Sequence, residues 1–269
     1  MAKHNDSRLT FLDCSASFGV ALVPPLKYAE TAEDLVKEMD FCGVEEALVW
    51  DAAMKDDSPA IGNRLLSKAI KGKPFDAAQG RPFDSAQGKP RLHGTWALLP
   101  FQTGELGTPY EFLTAMKTNN IKALRAWPNE HRYLLNAVTC GDFFDLMAER
   151  NIPLLLGPDW PLITSVLRDA PNLTVIAVGH GNWGMDRYFR PLIESYPNFH
   201  IDTSRYELDM GIADFCAKYG PDRLLFATNY PATVMGGPML TLLHSDISTE
   251  AKQAIASGNL RRLLDKVRL

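Results

Sequence analysis

Short apolar runs alternate along the chain with longer stretches in which apolar residues recur every three or four positions, a pattern that predicts strands followed by helices. The first run, Leu9 to Asp13, leads into Cys14, Ser15, Ala16, Ser17, Phe18 and Gly19 and reads as a buried strand that delivers side chains at its C-terminal end. Residues two apart on a strand share a face, so Ser15 and Ser17 are expected to look into one space. Val23-Pro24-Pro25 then breaks regular structure. Thr31 to Asp34 has the form of a capping box opening a helix through Leu35, Val36 and Met39, with Gly43 as its stop.

Glu46 to Trp50 predicts a second strand with Asp51 just past its end, and Asn63 to Ile70 predicts a helix. Leu92 to Leu99 reads as the third strand, Thr108 to Lys117 as a helix built on Tyr110, Leu113 and Met116, and Ile121 to Arg125 as the fourth strand. That strand runs into Ala126 to Tyr133, the most polar and aromatic loop of the chain. A helix carrying Phe143, Phe144, Leu146 and Met147 precedes a fifth strand, Pro153 to Leu156. Strands at Thr174 to Val178, Phe199 to Asp202 and Arg223 to Phe226 then alternate with helices at Tyr188 to Tyr196 and Met210 to Tyr219, and a helix from Ser248 to Leu264 closes the chain. Eight strand candidates, each followed by a helix-sized segment, predict an α/β fold, a single (β/α)8 TIM barrel spanning 1–269. Such a barrel places its chemistry at the C-terminal ends of its strands.

Between Lys73 and Pro90 the chain repeats itself with period eight: Pro74-Phe-Asp-Ala-Ala-Gln-Gly-Arg81, then Pro82-Phe-Asp-Ser-Ala-Gln-Gly-Lys89. Two copies are too few for a solenoid, and the Pro and Gly in each oppose a long helix or strand. The stretch reads as an inserted loop at about 73–90, on the side of the barrel away from the expected chemistry, and it resembles short translated DNA repeats scattered through some bacterial genomes.

At 269 residues, 46% hydrophobic and 22% charged, the chain has the makeup of a globular protein of one barrel's size. A net charge of −4 with no basic stripe argues against nucleic acid or an anionic membrane as partner. The polar N-terminus and the lack of a run near the ~18 apolar residues a membrane span needs lead us to expect a cytoplasmic protein. The four cysteines, Cys14, Cys42, Cys140 and Cys216, lie far apart without a C-x-x-C pair, so they are expected to be reduced, buried thiols.

Asp13-Cys-Ser15-Ala-Ser17-Phe-Gly19 is similar to Asp-x-His-x-His-x-Gly, the first-strand motif of the amidohydrolase-related family, metal-dependent hydrolases and decarboxylases on a (β/α)8 barrel. The resemblance covers nearly the whole chain. Pro153-Leu-Leu-Leu-Gly157 looks like the fifth-strand segment whose last residue is a histidine ligand, and Pro171 to Gly181 like the sixth, whose histidine would fall at Gly179, one residue before His180. Ala227-Thr228-Asn229-Tyr230-Pro231 resembles Gly-Ser-Asp-Tyr-Pro, in which the aspartate binds metal and moves a proton. Gly258-Asn259-Leu260-Arg261-Arg262-Leu263-Leu264 matches the closing Asn-x-x-Arg-Leu-Leu helix. The resemblance therefore implies vacated metal positions at Ser15, Ser17, Gly157, Gly179 and Asn229. Neutral serine, glycine and asparagine are poor ligands for such a metal, so no divalent metal or other cofactor is expected, and metal-bound hydroxide is not carried over as the mechanism.

Other groups follow the predicted strands. Arg125, Trp127, His131, Asn182, Arg205 and Tyr230 are the candidate substrate-binding residues, since guanidinium groups beside aromatic rings suit a small carboxylate or phosphate-bearing ligand. His180 and Asp159 are the candidate catalytic residues, His180 as general base with Asp159 or Asp202 to orient it. Plainer roles stand beside these: a rim salt bridge between Arg125 and Asp159, a solvated His131, and packing for Trp127, Trp160 and Trp183. Ser15 and Ser17 have no histidine tied to them by any motif, so they read as small polar filling rather than as nucleophiles. Two functions are expected from this: a metal-independent hydrolase or lyase acting on a small carboxylated molecule, or a catalytically silent homologue that binds a ligand or partner through the same pocket. A homo-oligomer is left open.

Overall fold

The apolar runs form eight parallel strands in a computed structural model that describes residues 9–71, 90–181, 184–208 and 210–269. They are β1 (Leu12–Phe18), β2 (Glu46–Asp51), β3 (Leu92–Ala97), β4 (Ala123–Ala126), β5 (Leu154–Leu156), β6 (Val175–Ala177), β7 (Phe199–Asp202) and β8 (Leu224–Leu225), hydrogen-bonded in sequence order. The ring closes where the Cys14 N–H donates to Phe226 O at 2.8 Å and the Ser17 N–H donates to Tyr230 O at 2.9 Å. The result is the expected (β/α)8 barrel.

Alternation along each strand sorts the side chains between two cores. Leu12, Cys14, Leu48, Ala123, Leu155, Ile176 and Leu225 meet inside the barrel. Their neighbours Ala47, Val49, Leu124, Leu154, Leu156, Val175, Ala177, Leu224 and Phe226 face outward into the larger core beneath the helices. Those helices are α1 (Ala32–Cys42), α2 (Ala53–Asp56), α3 (Pro59–Ile70), α4 (Pro109–Thr118), α5 (Pro128–His131), α6 (Ala137–Arg150), α7 (Trp160–Asp169), α8 (Asp186–Ser195), α9 (Gly211–Tyr219), α10 (Gly236–His244), α11 (Thr249–Gln253) and α12 (Asn259–Asp265).

Capping chemistry sets many of these boundaries. The Thr31 hydroxyl accepts from the Asp34 N–H at the start of α1, and Gly43 ends that helix in the left-handed region at φ +84°. The helix expected from Asn63 begins earlier, at Pro59, because Ser58 caps it and proline suits the first turn. The loop expected over Ala126 to Tyr133 contains the short α5, which also opens on a proline. The single closing helix expected from Ser248 is interrupted by a π turn, Ala254–Gly258, between α11 and α12.

The closing helix plugs the barrel floor. Leu260 and Leu264, one turn apart on α12, complete the interior cluster. The Asn259 amide donates to the carbonyls of Pro221 and Leu224, both at 2.9 Å, and Arg261 pairs with Glu46 at 2.8 Å, which His93 also meets at 2.8 Å. That end of the barrel is thereby filled. The repeat insert expected at 73–90 falls outside the described residues, save for Pro90. Among the described residues no helix is long and apolar enough to cross a membrane, and the four thiols are free, with Cys14 and Cys140 buried and Cys42 and Cys216 half-buried.

Leu260→Ala is expected to lower the unfolding free energy by about 2–5 kcal/mol, since the floor of a closed barrel has no room to collapse. Leu243→Ala, on the exposed side of α10, should change it by under ~1 kcal/mol. Urea unfolding followed by circular dichroism checks the contrast.

Candidate functional site

One carboxylate stitches the first strand to the last. The register of β1 against β2 shifts between Asp13 and Ala16, a bulge that re-aims the side chains at the strand end. There Asp13 accepts from the N–H groups of Ser15 and Thr228, each at 2.9 Å, and from the Thr228 hydroxyl. Burial pushes its carboxyl up to about 6, against the pull of those hydrogen bonds. Ser15 and Ser17 do not share one partner, as their spacing would suggest. The Ser15 hydroxyl accepts from Arg125, whereas the Ser17 hydroxyl donates to the Tyr230 carbonyl at 3.4 Å.

Arg125 is the centre of the site. It follows inward-facing Ala123 by two residues on β4, which turns its side chain into the barrel. The guanidinium is buried, donates from Nη2 to Ser15 Oγ at 3.1 Å, and leaves Nε without a partner. Its central carbon lies 5.4 Å from the Trp50 ring and 5.8 Å from the Trp127 ring, and the two indoles touch at 5.0 Å, half-exposed above it. Burial pushes the group down to about 10, and the fields of Asp202 and Asp13 only partly offset that. No carboxylate reaches it among the described residues, so the expected bridge from Arg125 to Asp159 is not made.

Gly179 and His180 both lie past the end of β6, in the loop that leads toward α8. Gly179 has φ +66°, and a Cβ there would meet the Asn229 amide at 3.1 Å, so these two positions abut at the mouth. His180, one residue on, is fully buried among Phe189, Tyr206 and Trp160 at centroid distances of 5.4, 6.1 and 6.4 Å. Its Nε2 lies 2.7 Å from the backbone carbonyl of Asp202 and 3.9 Å from the carboxylate, and Nδ1 has no partner. Asp202 accepts from the Gly179 N–H at 2.9 Å and from the Ser204 hydroxyl at 3.0 Å, and burial raises its carboxyl above the ordinary value.

The remaining candidates are dispersed. Asp159 caps α7, accepting from the Leu162 N–H at 3.0 Å, and receives the Asn129 amide at 3.2 Å. The chain thus ties the two expected catalytic residues to separate partners. His131 sits edge-on to Trp127 at 6.1 Å, with Nε2 at 3.1 Å from the Lys55 carbonyl, which locks α5 onto α2. Arg205, in the loop leaving β7, has a buried Nε without a partner. Tyr230 is buried in the larger hydrophobic cluster, and burial raises its phenol, with smaller contributions from Glu38, Cys42 and Asp34. Asn182 lies outside the described residues. Gly157 opens on free space, since a Cβ added there meets nothing within 4 Å.

Trp50 is the site residue that the sequence reading passed over. Its signal was present: it stands two residues after inward-facing Leu48 and level with Ser17 in the register of β1 and β2. Among the described residues no three His, Cys, Asp or Glu side chains come together as a metal-binding group.

The amidohydrolase family profile matches residues 104–266. No curated protein matches the chain. Among solved structures, 2,6-dihydroxybenzoate decarboxylase from Rhizobium is similar with a TM-score of 0.68 at 16% identity, over 96% of this chain and 99% of that one. An uncharacterised TIM-barrel protein from Bordetella bronchiseptica gives 0.67 at 18%, over 96% and 99%. 4-Oxalomesaconate hydratase from Rhodopseudomonas palustris gives 0.66 at 17%, over 96% of each chain. At such identities these three likenesses speak for the fold alone.

Two outcomes follow from the buried charges. The folded protein holds the Asp13 proton more tightly than the unfolded chain, so the contribution of Asp13 to stability is full below about pH 4 and is lost as the pH rises to about 6. Asp13→Asn should flatten that part of the melting-temperature profile; an unchanged slope would contradict the assignment. Arg125→Met, which removes a cation that burial disfavours, is expected to raise the unfolding free energy by about 1–3 kcal/mol in the absence of ligand, and urea unfolding measures it.

Proposed function

The chain belongs to the amidohydrolase family, and we propose that within it this protein is a hydrolase or lyase that takes a small carboxylated molecule on a guanidinium in place of a divalent metal. Arg125 carries the reading. A buried cation with an unpartnered Nε and no carboxylate of its own destabilises the fold unless an anion completes it. Ser15 holds one edge of the guanidinium, and Trp50 and Trp127 lie beside it, an arrangement suited to pairing with a carboxylate. Arg205 offers a second guanidinium on the rim. Two of the structural relatives act, by name, on carboxylated molecules, 2,6-dihydroxybenzoate and 4-oxalomesaconate.

The donor set argues against the family metal. The positions that resemble ligand sites hold two hydroxyls, one amide and two glycines, and Ser15 is already engaged by a cation. Such groups do not fit zinc or its neighbours, and no step is routed through a metal. Arg125 and Ser15 then fix the ligand, the indoles exclude water, and the group suited to hold a proton is Asp202, whose carboxyl burial raises above its ordinary value and which accepts from the Gly179 N–H.

A second reading, a barrel that binds its ligand without turning it over, is favoured by one observation: Asp202 and His180 are both fully buried, and Asp159 is spent on a helix cap.

Calorimetric titration of the full chain with benzoate, 2,6-dihydroxybenzoate and citrate, alongside assays for carbon dioxide release and hydrolysis, tests both. Saturable binding of at least one carboxylate is expected, weakened ~10-fold or more in Arg125→Met. Turnover marks the enzyme. Binding without turnover supports the second reading, and absence of carboxylate binding contradicts both.

A further inference from the structure

The chain leaving β1 at the barrel mouth makes an arc with a closed base. The Gly19 N–H donates to the Ala29 carbonyl at 2.9 Å, and Gly19 takes φ +97°, a turn that a side chain would strain. Seven consecutive residues within the arc, Val20 to Leu26, carry no polar side chain. Val20, Leu22, Val23 and Leu26 are 66, 81, 83 and 106% exposed. Apolar side chains presented together to water mark a surface that some contact covers, whether a partner, a membrane, a ligand or another part of the chain.

The position of the arc says what covers it. Phe18 pairs with Asp51 and Ser17 with Trp50 across β1 and β2, so the arc springs from the rim beside the strand that carries Trp50. Trp50 and Trp127 are themselves half-exposed over Arg125. Within the arc the Leu22 N–H donates to Asp56 of α2 at 2.8 Å, and near its far end Lys27 pairs with Glu38 of α1 at 2.6 Å. Pro24 and Pro25 stiffen the span between its ends.

Resting on the reading of Arg125 as a carboxylate anchor, we propose that the arc Gly19–Ala29 is a lid that folds over the mouth when an anion occupies Arg125, laying Leu22 and Val23 against the Trp50–Trp127 wall. Closure buries both apolar surfaces at once. It also removes water from the guanidinium–carboxylate pair, which strengthens that pair in the lowered dielectric. The pinched base serves as the hinge, and the Leu22 to Asp56 bond is the contact given up.

Hydrogen exchange of the full chain with and without saturating citrate, or whichever of the three carboxylates binds most tightly, tests the lid. Protection of the amides of residues 20–28 is expected, together with reduced acrylamide quenching of tryptophan fluorescence. A Leu22→Ser/Val23→Ser double variant should keep its melting temperature, since both side chains are exposed, yet bind the carboxylate ~10-fold more weakly. Carboxylate binding that depends on Arg125 but leaves exchange over 20–28 unchanged, or is indifferent to the double variant, overturns the lid and spares the anchor. Loss of all carboxylate binding overturns the anchor and the lid with it.

Discussion

The buried guanidinium of Arg125 is the constraint from which the rest of the site follows. Moving such a charge out of water is unfavourable by several kcal/mol unless opposite charge and hydrogen bonds complete it. Here the completion is partial: one serine hydroxyl, two indole faces and the more distant fields of Asp202 and Asp13. Under the proposed function, an anion supplies the rest. Stability given up at one point of a fold is a recurrent mark of a site that a ligand completes.

That arrangement depends on how the barrel is closed. Asp13 ties the first strand to the last through Thr228, and the bulge beside it sends Ser15 toward Arg125 and Ser17 toward the Tyr230 carbonyl. At the other end Leu260 and Leu264 fill the floor while Asn259 and Arg261 hold the closing helix to the strands. A plugged floor leaves the opposite face as the one at which such a barrel presents its strand ends.

The architecture was legible in the sequence because period-two alternation inside each strand and Ser, Thr, Pro and Gly at the helix ends are local signals, and local physics decides them. Phe199–Asp202 forms the expected strand residue for residue. The site was legible only in part. Arg125 and Trp127, expected beside one another at a strand end, do lie together, with Ser15, expected as small polar filling, bonded to the guanidinium; Trp50 was not singled out because a tryptophan inside an apolar run reads as core. His180 shows the limit most clearly. Standing one residue past Gly179, with glycine on both sides, its direction was open in the sequence, and packing against Phe189 and Tyr206 turned it away from the mouth. Tyr230 follows β8 as expected, where its carbonyl accepts from Ser17 in the ring closure and the residue packs in the larger core.

If a fixed guanidinium does the work that a divalent ion does elsewhere in the family, the protein has no use for the ion. The direct measurement is the metal content of the chain purified without chelator and without added metal, by inductively coupled plasma mass spectrometry. The account predicts zinc, manganese and iron well below stoichiometry. Near-stoichiometric metal that persists in Arg125→Met would contradict it, and would mean that the hydroxyl and amide groups of Ser15, Ser17 and Asn229 take part in a site that their chemistry does not foretell.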